Sequence, residues 1–416
     1  MIQKEIYASI EFIEQEIRFI LGEFHNSRLN ILNVETRSTD AIKNDVIINA
    51  PELVRDIQSL LAVVNEKMGV SVLKVIVVLP SRFMTLNFKR FTINFKDQKI
   101  SNQFIYDTVI DAAEQELNNN QLLVNMMAYK YFIDGVAKHR LNLDKNINSL
   151  AVDTNLFIGE QENIYEYLNV VEKAGSQILD ITFDSVAEAC EMAAFEASQI
   201  KNVIVIRYEA HQISLSLISE GRLISWTALD MGYGAIVEKL QVDHNLAYQN
   251  AEKLVLNNNY LNNSVHESMP IFIYSDGSET YSIENKYVED VALEVIMKQF
   301  SEVYDMIDPL LMSKETDVYL TGKGAGIINL ETVLSNVLKT RVRRYLPEII
   351  GGRDSSYVAL LGSLYHFRDI HTDKDGINIE SCLNRNIEQP EIRKSIRNES
   401  EDSMANKFKE LFKKNQ

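Results

Sequence analysis

Few side chains in this sequence are spaced as catalytic or metal-binding groups usually are. The two cysteines, Cys190 and Cys382, are far apart and have no His or Cys neighbour at ligand spacing, so neither a zinc site nor a disulfide framework is predicted. His211 has no Ser or Asp partner in a context typical of a catalytic triad. The H-E-x-x-H, P-loop and G-x-S-x-G patterns are all absent. We therefore expect no metal site and no enzyme of these classes.

The clearest chemical pattern lies in residues 403–416, SMANKFKELFKKNQ. One helical stripe at positions i, i+4, i+7 and i+8 holds Met404, Phe408, Leu411 and Phe412. The polar side carries Lys407, Lys409, Lys413 and Lys414. A helix with an aromatic apolar face and a lysine-rich polar face lies in a membrane interface, where each lysine near an anionic leaflet contributes about 1 kcal/mol. The pattern therefore predicts an anionic membrane surface as a partner.

The segment before this helix bears on how the helix is used. Residues 369–402 are polar and charge-mixed without helical or strand periodicity, which predicts a flexible linker. The alternative is that residues 403–416 dock on the protein's own core or on a partner. The linker favours the membrane, and so short a helix cannot span a bilayer, so it would lie on the surface. Its few apolar side chains bind weakly alone, but tethers arrayed on one filament bind far better, which favours self-association.

Length, composition and net charge restrict the class of protein, its location and its partners. At 416 residues more than one domain is expected, and 46% apolar with 24% charged residues is typical of a globular protein. No apolar run has the length of about 18 residues that a membrane-spanning helix needs, and the first residues lack the apolar centre of a signal peptide, so a cytoplasmic location is expected. The net charge of −17 argues against binding nucleic acid.

The periodicity of apolar residues predicts a repeated α/β arrangement. The first cycle has strands at 6–12, 17–23 and 28–34, a helix at 50–67 and a buried strand at 72–79. The second has strands at 203–207, 213–218 and 223–228, followed by helices at 234–242 and 245–256. A single helix is predicted over 185–198 and a long amphipathic one over 286–307. The repetition indicates two related halves around a cleft.

Five short phrases stand out in this chain: KVIVVLP at 74–80, YFIDG at 131–135, VEKAG at 171–175, AEKL at 251–254 and YLTGKGA at 319–325. In this order, and together with the terminal helix, they resemble the FtsA family of actin-like bacterial cell-division proteins across nearly the whole chain. The last two look like the adenosine-side motifs of the actin and Hsp70 superfamily.

The resemblance implies an α/β, actin-like (ribonuclease H-like) two-domain fold with an extra subdomain of the FtsA type. The implied boundaries are 1–79 and 163–200 for the first core, 80–162 for the extra subdomain, 201–240 and 308–368 for the second core, 241–307 for its small subdomain, 369–402 for the linker and 403–416 for the helix.

The nucleotide site that the resemblance implies is mostly missing. Actin-like sites hold phosphates in two turns of the Asp-Ile-Gly type, which should fall at 9–12 (SIEF) and 205–212 (VIRYEAHQ); both lack Asp and Gly. Glu11 and Glu209 would instead repel phosphate. The surviving candidates are Gly232, Glu252, Gly322, Gly324 and Ala325. The alternative is that these glycines only turn a strand into a helix. We expect no ATP hydrolysis, while weak binding of ATP with Mg²⁺ through Arg207 and Lys323 stays open.

The resemblance also implies that helix 286–307 helps to bind the acidic C-terminal tail of FtsZ. The candidate residues are Lys298, Gln299 and Glu302. Gln299 stands where relatives usually have arginine and cannot grip a carboxylate bidentately, which leaves Lys298 as a point charge. The alternative is a purely core helix.

The expected function is therefore to tether FtsZ filaments to the cytoplasmic face of the membrane at the division septum, with self-polymerisation. An actin-like ATPase and a pilus-assembly relative of the same superfamily are the alternatives.

Overall fold

A computed structural model describes residues 5–25, 28–95, 101–138, 141, 147–257, 261, 268–276, 279–372, 378–379 and 396–398. The chain divides into two compact units. Unit 1 comprises Met1–Met192, Glu348–Gly352 and Ala359–Gln416, and unit 2 comprises Ala193–Pro347 and Arg353–Val358. The predicted membrane helix at 403–416 lies outside the described residues.

Unit 1 opens with a meander of three antiparallel strands. The elements up to residue 79 are β1 (Glu5–Ile13), β2 (Glu16–His25), β3 (Arg28–Ser38), β4 (Ile42–Lys43), β5 (Val46–Ile47), α1 (Ala50–Met68), β6 (Val70–Val72) and β7 (Lys74–Leu79). Because Ile13 pairs with Glu16, β1 and β2 are joined by only two residues, of which Gln15 takes φ +67°. Helix α1 starts where Asn49 accepts the Glu52 N–H and ends at Gly69 in the left-handed conformation.

The next segment forms a sheet of its own within unit 1. Its elements are β8 (Met84–Asn94), α2 (Asn102–Glu114), β9 (Gln121–Ile133), β10 (Val136–Lys138) and β11 (Ser149–Glu160). The strand order is β10-β9-β11-β8. Helix α2 buries Ile105, Val109 and Ile110 in the core that this sheet forms with it. An antiparallel sheet of this kind needs only one covered face, which one helix supplies.

The chain returns to the first sheet through α3 (Gln161–Lys173), β12 (Gln177–Phe183) and α4 (Asp184–Glu191). Unit 2 then begins with the short α5 (Ala194–Ala197). The sequence predicted one helix over 185–198, and this is wrong because Ala193 takes the left-handed conformation at φ +49° and separates α4 from α5. A residue in that region cannot continue a right-handed helix.

Unit 2 repeats the topology of the first sheet. Its further elements are β13 (Asn202–Tyr208), β14 (Ile213–Ser219), β15 (Arg222–Leu229), α6 (Gly234–His244), α7 (Tyr248–Asn257), β16 (Pro270–Asp276), β17 (Glu279–Glu284), α8 (Asn285–Ser313), β18 (Thr316–Thr321), α9 (Leu330–Val337) and β19 (Val342–Arg344). The order β15-β14-β13-β18-β19 matches β3-β2-β1-β7-β12 in unit 1. In each sheet an antiparallel meander continues into two parallel strands, which confirms the repeat predicted from the sequence.

The last described strands belong to unit 1. Helix α10 (Val358–Thr372) is followed by β20 (Asn378–Ile379), which pairs with Met126 and Met127 of β9, and by β21 (Ile396–Asn398), which pairs with β6. The prediction of one flexible linker over 369–402 is therefore wrong for its described part, because unpaired edges of β6 and β9 offer backbone hydrogen bonds to the passing chain. None of the described helices is long and apolar enough to cross a bilayer.

Candidate functional site

The turn between β13 and β14 occupies the place predicted for the second phosphate-binding turn. Tyr208 and Ile213 form its last strand pair, and the Glu209 N–H donates to the Gln212 carbonyl at 2.9 Å. The backbone N–H groups of Tyr233 and Gly234 donate to the carbonyls of Glu209 and Ala210 at 3.2 and 2.7 Å. The turn thus presents carbonyl oxygens to the chain before α6, whereas holding a phosphate requires N–H donors.

The predicted nucleotide residues of unit 2 do come together around this turn. A Cβ atom on Gly232 would lie 2.2 Å from the Glu209 carbonyl oxygen, and on Gly322 and Gly324 it would lie 2.7 and 2.8 Å from the Tyr208 carbonyl oxygen. Real Cβ atoms do not approach backbone oxygens so closely, so all three positions require glycine whatever the site binds. Ala325 is fully buried in the core of unit 2. Close packing against the backbone of the turn accounts for the three glycines, and burial in the core accounts for Ala325.

The charged residues at the turn neutralise one another. Arg207 and Glu209 are each 5% exposed, with Arg207 Nε 3.2 Å from Glu209 Oε1. The Lys323 N–H donates to Glu209 Oε2 at 3.4 Å, and Lys323 Nζ lies 3.0 Å from Glu252 Oε1. The Tyr233 hydroxyl donates to the same Glu252 oxygen at 2.9 Å. We call Arg207, Glu209, Tyr233, Glu252 and Lys323 the Glu209 cluster.

These residues do not fit a magnesium–nucleotide complex. The buried Glu209 carboxylate accepts from the groups, Arg207 and the Lys323 N–H, that could have donated to a phosphate. A phosphate brought within about 4 Å of that carboxylate would meet a repulsion on the order of 4 kcal/mol at the effective dielectric of a protein surface. Among the described residues there is also no group of three or more His, Cys, Asp or Glu side chains that could hold a metal ion.

The first predicted phosphate turn is not a turn. Residues 9–12 lie inside β1, and the chain reverses only at Glu14 and Gln15. Ser9 is buried, with its Oγ 2.7 Å from Ser363 Oγ, and Glu11 is buried opposite Arg18 of β2. The prediction at 9–12 was wrong because β1 and β2 continue to pair up to Ile13 and Glu16, which shifts the reversal by several residues.

The predicted peptide-binding residues of α8 divide between two faces. Lys298 and Glu302 are exposed, but Gln299 is buried at 6% exposure. Its amide accepts from the Tyr208 hydroxyl at 3.0 Å and donates to the Gly232 carbonyl at 2.9 Å. A contact with a partner peptide requires a side chain that faces the solvent, and Gln299 faces inward. It connects α8 to β13 and to the loop of Gly232 instead.

Substituting Gln299 by leucine should destabilise the protein by about 2–3 kcal/mol, because the Tyr208 hydroxyl and the Gly232 carbonyl would both lose a buried partner. Urea unfolding followed by circular dichroism measures the change. The neighbouring K298L alters an exposed position and is expected to stay within about 0.5 kcal/mol of the parent. Equal stability of Q299L and K298L would contradict the buried role of Gln299.

Two features of the sequence are consistent with this network, although the prediction did not use them. Gln299 lies three residues after Ile296 and four before Val303, both buried, and so on the apolar stripe of α8. Arg207 and Glu209 are two apart at the end of a strand, which places both on one face.

Comparisons with known proteins agree with this fold. No protein-family model matches the chain. The cell division protein FtsA of Enterococcus faecalis is 20% identical over 387 residues, covering 88% of this chain and 86% of its own. FtsA of Bacillus subtilis is 20% identical over 380 residues, covering 87% and 83%. FtsA of Staphylococcus epidermidis is 21% identical over 418 residues, covering 98% and 88%.

Solved structures share the fold at low sequence identity. A chain of the PilM-PilN type IV pilus biogenesis complex matches with a TM-score of 0.58 at 13% identity, covering 86% of this chain and 97% of its own. EutJ of Carboxydothermus hydrogenoformans matches with 0.52 at 12%, covering 86% and 89%, and AMPPNP-bound MreB 5 of Spiroplasma citri with 0.51 at 11%, covering 88% and 97%. The chain is therefore an actin-like α/β protein that is similar to the cell division protein FtsA over most of its length.

Proposed function

We propose that this protein tethers FtsZ filaments to the cytoplasmic face of the cell membrane at the division septum. The observation that carries the proposal is the similarity to FtsA, which extends over 83–88% of the length of the relatives compared above. Similarity over that length includes both units of the fold, and not only the superfamily core. The role in cell division follows from what those relatives are called.

The membrane contact of the tether is assigned to residues 403–416. The stripe of Met404, Phe408, Leu411 and Phe412 would enter the interface, and the lysines would face the anionic headgroups. The lysines offset the net charge of −17 locally, which lets an acidic protein approach an anionic surface. Many copies on one filament would raise the affinity of each weak anchor.

The contact with FtsZ is assigned to the exposed face of α8. Lys298 and Glu302 are one helical turn apart on that face, whereas Gln299 faces inward. Lys298 supplies a point charge for the acidic tail of FtsZ, without the bidentate grip of an arginine. A single lysine at this position implies a weak contact that depends on the ionic strength.

The protein is further proposed to work without hydrolysing ATP. The Glu209 cluster supports this, because its cations are already occupied by carboxylates. The absence of a turn at residues 9–12 supports it from unit 1. Polymerisation would then rest on contacts between copies and not on nucleotide turnover.

Co-sedimentation of FtsZ from the same organism with anionic liposomes tests the proposal. Full-length protein is expected to carry FtsZ into the pellet, and a version ending at Asp402 is expected to leave it in the supernatant. ATP turnover that is lost with K323A would favour the ATPase alternative. Liposomes that carry this protein but never FtsZ would contradict the division role and favour the pilus-type alternative, to which the PilM-PilN structure lends only its fold.

A further inference from the structure

The Glu209 cluster contains a buried cation, Arg207, whose charge is not solvated by bulk water. Arg207 lies in the fully buried β13 and is itself only 5% exposed. A buried guanidinium is costly unless an anion with good geometry compensates it. The resemblance to actin-like proteins predicted a phosphate-binding turn at 205–212, which spans the end of this strand and the turn after it. In this chain Glu209, two residues later on the same face, supplies the negative charge.

Lys323 joins the Arg207–Glu209 pair to a second ion pair, which it forms with Glu252. Its backbone N–H points at Glu209 and its ammonium at Glu252, so Arg207, Glu209, Lys323 and Glu252 alternate in charge along one connected path. Tyr233 completes the path by donating its hydroxyl to Glu252. Two positive and two negative groups leave the cluster neutral without any ligand.

We propose that Glu209 and Glu252 are built-in substitutes for an anionic ligand, so that unit 2 keeps its actin-like fold without a nucleotide and a latent phosphate-binding site lies beneath the Glu209 carboxylate. The donors that define this site are the Arg207 guanidinium and the Lys323 N–H. The ligand class is a phosphate-type anion, which would bind only when Glu209 is neutral. This inference is independent of the proposed tethering of FtsZ.

Thermal unfolding of the full chain with and without pyrophosphate tests the proposal. In E209Q the buried Arg207 loses the counter-charge that Glu209 supplies, and the melting temperature should fall by roughly 4–10 °C. Millimolar pyrophosphate should restore at least half of that loss, while sodium chloride at the same ionic strength should not. The parent protein should melt at the same temperature with either salt, and with ATP and Mg²⁺.

A matched variant distinguishes binding of pyrophosphate at a specific site from a general effect of ionic strength on buried charges. Arg18 in unit 1 is also buried and lies 2.5 Å from Glu16, so E16Q likewise removes one carboxylate partner of a buried arginine. Its melting temperature should fall too, but pyrophosphate should act on it no more than sodium chloride does. Rescue of E16Q as strong as that of E209Q would overturn the proposal.

Two further results would also overturn it. One is stabilisation of the parent protein by pyrophosphate or by ATP and Mg²⁺, because the site would then already be open. The other is a fall in the melting temperature of E209Q that pyrophosphate does not reverse. If E209Q does not fold in buffer, its refolding from urea in millimolar pyrophosphate is compared with refolding in sodium chloride at the same ionic strength. No gain in refolded protein with pyrophosphate would then count against the proposal.

Discussion

Alanine at Gly362 is expected to destabilise unit 1 by about 3 kcal/mol or more. Gly362 lies in α10 where this helix crosses α4, and a Cβ atom there would sit 1.8 Å from the Ala187 carbonyl oxygen and 2.5 Å from its carbon. Both are backbone atoms inside a helix, so no side-chain rotation can relieve the overlap. The helices must separate, and the buried Leu361, Leu364 and Phe367 would lose packing with them. Urea unfolding measures the loss.

Gly326 provides the control for this prediction. A Cβ atom on Gly326 meets no atom within 4 Å, and its φ does not lie in the left-handed region. G326A should therefore unfold at the same urea concentration as the parent or slightly higher, because alanine restricts the unfolded chain. If G362A were as stable as G326A, the close crossing of α10 and α4 would be wrong.

Replacing both Phe408 and Phe412 by glutamate is expected to release the protein from anionic liposomes. Burying each phenylalanine contributes about 1.5–3 kcal/mol, so losing both weakens binding by about 3 kcal/mol or more, or about a hundredfold. The two added charges also repel the anionic surface. Flotation or sedimentation with liposomes gives the bound fraction. Binding at the level of the parent would contradict the assignment of residues 403–416 to the membrane.

The variant N406E distinguishes the contribution of apolar contact to membrane binding from that of charge. On a helical wheel Asn406 lies opposite the apolar stripe, so N406E adds the same negative charge as F408E without removing an apolar group. Electrostatics alone predicts a loss of about 1 kcal/mol for N406E, or about fivefold. F408E should lose clearly more. Equal losses would show that charge alone holds the chain at the membrane.

Much of the fold was predictable because β1, β2, β7, β13 and β14 are mostly buried and carry β-branched or aromatic residues in short runs. The strand predicted at 203–207 is β13 (Asn202–Tyr208), and the helix predicted at 50–67 is α1 (Ala50–Met68). The interruptions and ends of helices were harder to predict. Nothing in the composition around Ala193 marks a left-handed residue, and the long helix continues through Pro309 to Ser313, beyond its predicted end at 307.

The site was less predictable than the fold because its residues meet through tertiary contacts. The prediction grouped Gly232, Glu252 and Gly322 by resemblance, and the structure does bring them to one turn. Periodicity could not show that Glu209 would accept from Arg207, because side-chain pairing depends on burial at the end of β13. Gln299 was predicted to contact a peptide because the resemblance places it where relatives usually have arginine, but its position among buried neighbours turns it inward.

If residues 403–416 bind the membrane as proposed, the pairing of β21 with β6 sets how far unit 1 can stand from a bilayer. With Asn398 held beside Val70, only residues 399–402 precede the proposed anchor, a reach on the order of 15 Å. With β20 and β21 both released, the chain from 373 to 402 extends to on the order of 100 Å. Under the proposed function, pairing and release of these two short strands would hold unit 1 either near the membrane or far from it, and a filament of closely held copies would follow the membrane contour more tightly.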